Sequence, residues 1–199
     1  MHIIGVLGGV ASGKSLVAGL LAELGAGVLD ADRAGHEVLL LPQIEAAARE
    51  RWGDEIFGPD GHIDRQRLAG IVFAEGPDGP RERKYLEKLT HPEIARLIQR
   101  QAEVLAISGT SVAVLDAPLL LESGWYKLCK ELLFVDAPLE VRRSRAAARG
   151  WNKEGFAARE GAQESLDQKR SRADVTIDNS GSPEQTRAQI EQFWQSRFS

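Results

Sequence analysis

At 199 residues, 43% hydrophobic and 27% charged, the chain has the makeup of a soluble globular protein long enough to bury a core, as one domain or two. Its formal net charge of −4 excludes a general attraction to nucleic acid or to an anionic membrane, so any phosphate binding must come from a local cluster of cations. The single cysteine, Cys129, excludes an intrachain disulfide, reads as a small buried thiol near a strand, and fits a reducing compartment.

The first apolar run, Ile3 to Leu7, predicts a buried strand. Although Ile3 to Ala11 is apolar, it lacks a basic start, is rich in glycine and runs into Lys14, so it does not read as a signal peptide. Apolar residues at helical spacing from Lys14 to Leu24, ended by Gly25, predict a helix. A second strand follows at Gly27 to Leu29, and a third is not expected until Val112 to Leu115. That gap of about 80 residues is far longer than one crossover helix needs. Within it, Ile44 to Trp52, Arg65 to Phe73, Arg81 to Leu89 and Pro92 to Ile107 read as helices, separated by turn clusters at GPDGH (58–62) and EGPDG (75–79). Two further strands are expected at Leu132 to Val135 and Val175 to Ile177, and two further helices at Leu139 to Ala148 and Pro183 to Trp194, the last with Ser182 and Pro183 as its start signal.

Strands that are apolar throughout, joined by helices, imply an α/β fold: a five-stranded parallel sheet covered on both faces. The expected division is a core of residues 1–40, 110–138 and 170–199, a helical insertion at 41–109, and a separate segment at 139–169. No segment approaches the roughly 18 uninterrupted apolar residues of a membrane span, and the expected location is the cytoplasm.

Chemistry enters first at GVLGGVASGKS (5–15). Gly8, four residues, then Gly13-Lys14-Ser15 is the Walker A pattern, placed after a strand and opening a helix. Its glycines let backbone N–H groups curl around phosphates, and the helix N-terminus faces the same anion. Lys14 is expected at the β- and γ-phosphates and Ser15 on Mg²⁺. Kinase, GTPase and ATP-driven switch all remain open on this motif alone.

Asp30 and Asp32 end the second strand, at the edge where open α/β sheets bind ligands. Asp32 either orients an attacking hydroxyl or caps a helix beginning at Arg33. Asp116, closing an apolar strand, is either a Mg²⁺ ligand of Walker B type or a turn residue, and Glu122 brings a second carboxylate near the same edge. Arg142, Arg145 and Arg149 share one helix face, with Arg143 off to the side. They either close over a transferring phosphoryl group or form a solvated basic face. Asn152-Lys153-Glu154-Gly155 fails as a guanine-reading NKxD motif, because glycine replaces the aspartate and a helix rather than a strand precedes it. Asp178-Asn179-Ser180-Gly181 could reach a nucleotide base or be an ordinary turn. No histidine pairing or cysteine set suggests zinc, and His91 before Pro92 reads as a helix start.

GGVASGKS (8–15), LDADR (29–33), GPDGHIDRQRL (58–68), LTHPEI (89–94), APLLLE (117–122), the arginines through Arg149 with Gln163 beyond, and ADVTIDNSG (173–181) run in one order across nearly the whole chain. In that order they resemble the dephospho-CoA kinase family. PLLLE stands where PLLFE is common in the family, and Trp52 where phenylalanine is, neither touching the phosphate machinery. The resemblance implies a P-loop kinase fold with a nucleotide core, a helical domain for the coenzyme substrate and a lid. It also implies ATP and dephospho-CoA as substrates, Mg²⁺ with the nucleotide, and no nucleic acid, membrane or obligate protein partner.

By that resemblance Asp32 is the catalytic carboxylate, acting with Lys14, Arg145 and Arg149. Gly8, Val10, Ala11, Ser12, Gly13, Lys14, Ser15 and Asn179 would hold ATP, with Ser15 and Asp116 on the metal. Arg65, His91 and Glu122 would face the second substrate. The competing readings are another small-molecule P-loop kinase, for a nucleoside monophosphate or a sugar acid, and a non-catalytic ATP-binding switch.

Overall fold

The structure is a computed structural model that describes residues 1–198. In chain order it runs β1 (His2–Gly8), α1 (Lys14–Glu23), β2 (Gly27–Asp30), α2 (Ala31–Val38), α3 (Pro42–Trp52), α4 (Arg65–Val72), α5 (Asp78–Ile107), β3 (Val112–Asp116), β4 (Glu131–Asp136), α6 (Leu139–Ala148), α7 (Lys153–Gly161), α8 (Leu166–Arg172), β5 (Val175–Asp178) and α9 (Pro183–Phe198). Each apolar run predicted as a strand is one, lengthened by a residue or two at its ends.

The five strands form one parallel sheet in the order β2-β3-β1-β4-β5. β1 is therefore central, with Ile4 opposite Val114 on one side and Glu131 on the other. Alternate residues of each strand point to opposite faces. Ile4, Val114, Leu133 and Ile177 lie in one cluster with Val17 and Leu21 of α1 and Ile190 and Phe193 of α9, so these two helices seal that face. Between β1 and the opposite covering, Leu120 and Cys129 pack onto Gly5, and the Arg170 guanidinium of α8 stands 5.1 Å from the Phe134 ring. Burial there pushes the Cys129 thiol up to about 12, which leaves it an unreactive filler.

The chain divides into two compact units, residues 1–30 with 101 onward, and Ala31–Arg100. The sequence boundaries at 40/41 and 109/110 differ from these, because α2 groups with the helical segment and the last turns of α5 group with the sheet. The second unit has its own apolar core, centred on Ala48, Ile56, Phe57, Leu68 and Val72. Beside it, Glu82 is only 7% exposed and accepts from Arg51 Nε (2.9 Å) and Nη2 (2.8 Å) and from Trp52 Nε1 (2.9 Å). The bidentate Arg51 bond, helped by Trp52 and Arg81, pulls the Glu82 carboxyl down to about 2 against the opposing effect of desolvation.

Three local expectations are corrected. The two helices expected on either side of Pro92 are one, α5, with Pro92 inside it. Glu82, Thr90, Ile94 and Ile98 are all buried, at spacings that are multiples of four, so one continuous face is covered on both sides of the proline. That burial outweighs the roughly 3 kcal/mol an interior proline costs a helix. α2 starts at Ala31, so Asp32 lies in its first turn and is not its cap. α7 and α8, short and polar, had no counterpart among the expected helices.

Candidate active site

β1 delivers the chain at Gly8 to the carboxyl edge of the sheet, and α1 begins at Lys14. The loop between them is forced by its own geometry. Gly13 has φ +101°, and a side chain there would come within 2.0 Å of Asn179 Nδ2. Ala11, at φ +58°, is the only non-glycine at positive φ among the described residues. It is held there because Val10 and Ala11 are buried in a small apolar cluster with Ala146 and Phe156, against which Trp151 packs.

Lys14 Nζ donates to the carbonyls of Gly8 (3.2 Å) and Gly9 (3.1 Å), curling back over its own loop. Desolvation lowers its ammonium to about 8, with Asp116 and Glu122 raising it and Lys169 and Arg142 lowering it further. Phosphate oxygens would add further negative charge beside this partly buried cation. Ser15 Oγ donates to Asp116 Oδ2 at 3.1 Å, which joins the Walker A hydroxyl to the strand-end carboxylate. Asp30, at the end of β2, is paired in register with Asp116.

The loop is braced from three sides. Ser12 O accepts from Asn179 Nδ2 (2.7 Å) and Arg145 Nη1 (3.1 Å), while Arg145 Nη2 also donates to Asn179 O (2.9 Å). Arg142, 3% exposed, donates to Ala137 O (3.2 Å) and Val10 O (3.4 Å) and pairs with Glu160. Arg149 follows α6 and is exposed.

These positions alter several expectations. Asn179, expected at the nucleotide base, is 1% exposed and has its amide committed to Ser12 O and to the Thr186 hydroxyl, which donates to Oδ1 at 2.8 Å. Buried and with both amide atoms already bonded within the protein, the side chain supports the loop in this structure. Arg142, expected as a mobile cation, is a buried strut. Glu122, expected toward the second substrate, has Oε1 occupied by the Glu164 backbone N–H (2.6 Å) and by the Lys169 ammonium (3.4 Å). Asn152 caps α7, its Oδ1 accepting from Gly155 N at 2.8 Å, so the failed NKxD segment has a plain structural use.

Asp32, Arg65 and His91 belong to the second unit. Arg65 opens α4 and lines a groove of about 500 Å³ with Leu39, Val72, Phe73 and Leu86. His91 is half-buried on α5, where desolvation lowers its pKa. The sequence reading missed Lys169, since a lysine in a polar helix reads as solvated. The available signal was Ser165-Leu-Asp-Gln168, a capping box that announces α8.

A parallel sheet with a Walker A loop at its central strand, a contact from Ser15 of that loop to Asp116 at the end of β3 and arginines on α6 define a P-loop kinase. The family model for dephospho-CoA kinase matches residues 2–185. The chain belongs to the dephospho-CoA kinase family. It is 45% identical over 197 residues to the dephospho-CoA kinase of Symbiobacterium thermophilum, covering 98% of this chain and 80% of the relative. Among solved structures it is similar to a Thermus thermophilus protein (34% identity, TM-score 0.82, 100% of this chain and 98% of that one). It is similar also to the dephospho-CoA kinase of Campylobacter jejuni (26% identity, TM-score 0.71, covering 98% and 96%).

Proposed function

We propose that the protein transfers the γ-phosphoryl group of ATP to the ribose 3′-hydroxyl of dephospho-CoA, giving coenzyme A and ADP, the last step of coenzyme A synthesis. The observation that carries this reading is the Ser15–Asp116 contact beside Lys14 at the carboxyl edge of the sheet, in a chain of this family. Two hard oxygen donors suit Mg²⁺, which takes few protein ligands and fills its shell with water and phosphate oxygens. Bound there, the ion would offset charge on the β- and γ-phosphates.

Lys14 leaves the Gly8 and Gly9 carbonyls for the β- and γ-phosphates, and the loop N–H groups hold the remaining oxygens. Asp32 accepts or orients the proton of the attacking hydroxyl. Arg145 and Arg149, on the segment 139–169 that we assign as a lid, face the transferring group. Arg145 is already hydrogen-bonded to the loop, and Arg149 is exposed and can move. We assign residues 41–109 to the coenzyme substrate, with Arg65 and His91 as contacts, and the cytoplasm as the site of action. Glu122 we place on the nucleotide side.

Replacing Asp32 by Asn keeps its shape and removes the base. Turnover with ATP and dephospho-CoA is expected to fall at least about a hundredfold while ATP affinity holds. Near wild-type turnover would refute the assignment. A panel of hydroxyl acceptors, including nucleoside monophosphates and sugar acids, tests the substrate, and release of ADP without any acceptor would favour an ATP-driven switch.

A further inference from the structure

Lys169 has no place in the mechanism above, yet few lysines are so deeply enclosed. The residue is 2% exposed, and its ammonium donates to Gln163 Oε1 at 2.8 Å and lies 3.4 Å from Glu122 Oε1. Long cationic side chains normally carry their charge out to water, so a buried ammonium needs a compensating reason.

Its surroundings supply one. α8 packs on the phosphate loop: a side chain at Gly9 would meet Leu166 Cδ2 at 3.0 Å, and Lys169 lies one turn further along the same helix. The cation thus sits on the helix that backs the loop. Glu122 in turn comes from the segment following β3 and holds the backbone N–H of Glu164 just ahead of α8. Its second oxygen, Oε2, is buried without a hydrogen-bond partner. The pair thus joins the segment after the strand bearing Asp116 to the helix that backs the loop.

We propose that Lys169 is a positioning residue of the phosphate cradle: pinned by Gln163 and Glu122, its ammonium holds α8 on the loop and adds a fixed positive charge behind Lys14. The inference rests on the nucleotide-binding part of the function proposed above. An ion pair that serves only to hold the structure together predicts the same direction of effect whichever partner is neutralised. A charge that acts on the nucleotide predicts opposite directions, because removing the cation weakens the attraction for phosphate and removing the anion strengthens it.

The test uses the full chain, with the affinities of Mg-ATP and Mg-ADP measured by calorimetry at fixed ionic strength. Lys169→Met should weaken Mg-ATP about tenfold and Mg-ADP less, lowering the preference for the more highly charged nucleotide. Lys169→Arg should restore most of that preference. Glu122→Gln, which keeps an oxygen for the Glu164 N–H, should raise the preference. Equal losses for both nucleotides in Lys169→Met, or a preference lowered by both neutralisations, would overturn the proposal. If Lys169→Met does not melt cooperatively, Glu122→Gln decides alone: a raised preference supports the proposal, and an unchanged or lowered one ends it. A wild-type protein that binds neither nucleotide would end the kinase reading and this inference with it. Wild-type binding with unaltered variants would end the inference alone.

Discussion

Asn179 has its amide and backbone groups committed: its N–H donates to Asp136 O (2.8 Å), its carbonyl accepts from Arg145, and its amide joins Ser12 O to Thr186. Such a residue fixes the loop's shape rather than its choice of base. Asn179→Ala would strand buried partners, at a cost of about 2–3 kcal/mol. The melting temperature and the affinities for ATP and GTP should therefore all fall, with the ratio of the two affinities unchanged. A changed ratio would restore the base-contact role. The positions of Lys14 and Ser15 were legible because a Walker motif is local in sequence and its flanking strand and helix could be read independently, and that of Asp116 because it ends an apolar strand. Asn179 and Lys169 were less so, since what each does depends on partners such as Ser12 and Glu122, far away in the chain.

Among elements, strands were the most readable, because the inner strands β1, β3 and β4 are buried over most of their length and so read as apolar runs. α5 was read as two helices because the sequence shows the proline and not the packing that overrides it. α7 and α8 each bury a single residue, Phe156 and Lys169, and so carry little periodic signal. The node where α5 meets α3 is Glu82. A carboxyl held near 2 when folded and near its ordinary 4.5 when unfolded contributes stability that is fully present above about pH 4.5 and is lost as the pH falls toward about 2. Urea melts of wild type and Glu82→Gln should differ most at neutral pH and converge across that window. A constant gap down to pH 2 would show that Glu82 acts through packing alone.

At the scale of the whole molecule, the strand order β2-β3-β1-β4-β5 places the first strand in the middle of the sheet. The chain leaves it to opposite sides, and the crevice at such a switch point is where open α/β sheets bind ligands. The sequence yielded the strands and the phosphate loop, each of which is local in the chain. A nucleotide that binds only the folded state stabilises it by mass action. ATP with Mg²⁺ should raise the melting temperature, and chelating the metal should remove a large part of that rise. Asp116→Asn should leave only the metal-independent remainder. An undiminished metal effect in that variant would place the ion elsewhere.

Val10 and Ala11 are plugged into the same small cluster as Ala146, Trp151 and Phe156, and Arg142 ties Val10 to Glu160. The tip of the loop and the start of the arginine-bearing segment are thus one mechanical piece. Any swing of that segment over a bound nucleotide must either carry the loop tip with it or pivot beyond Trp151. A motion that carries the loop tip would couple nucleotide exchange to itself, whereas one that pivots beyond Trp151 would leave the loop's grip intact.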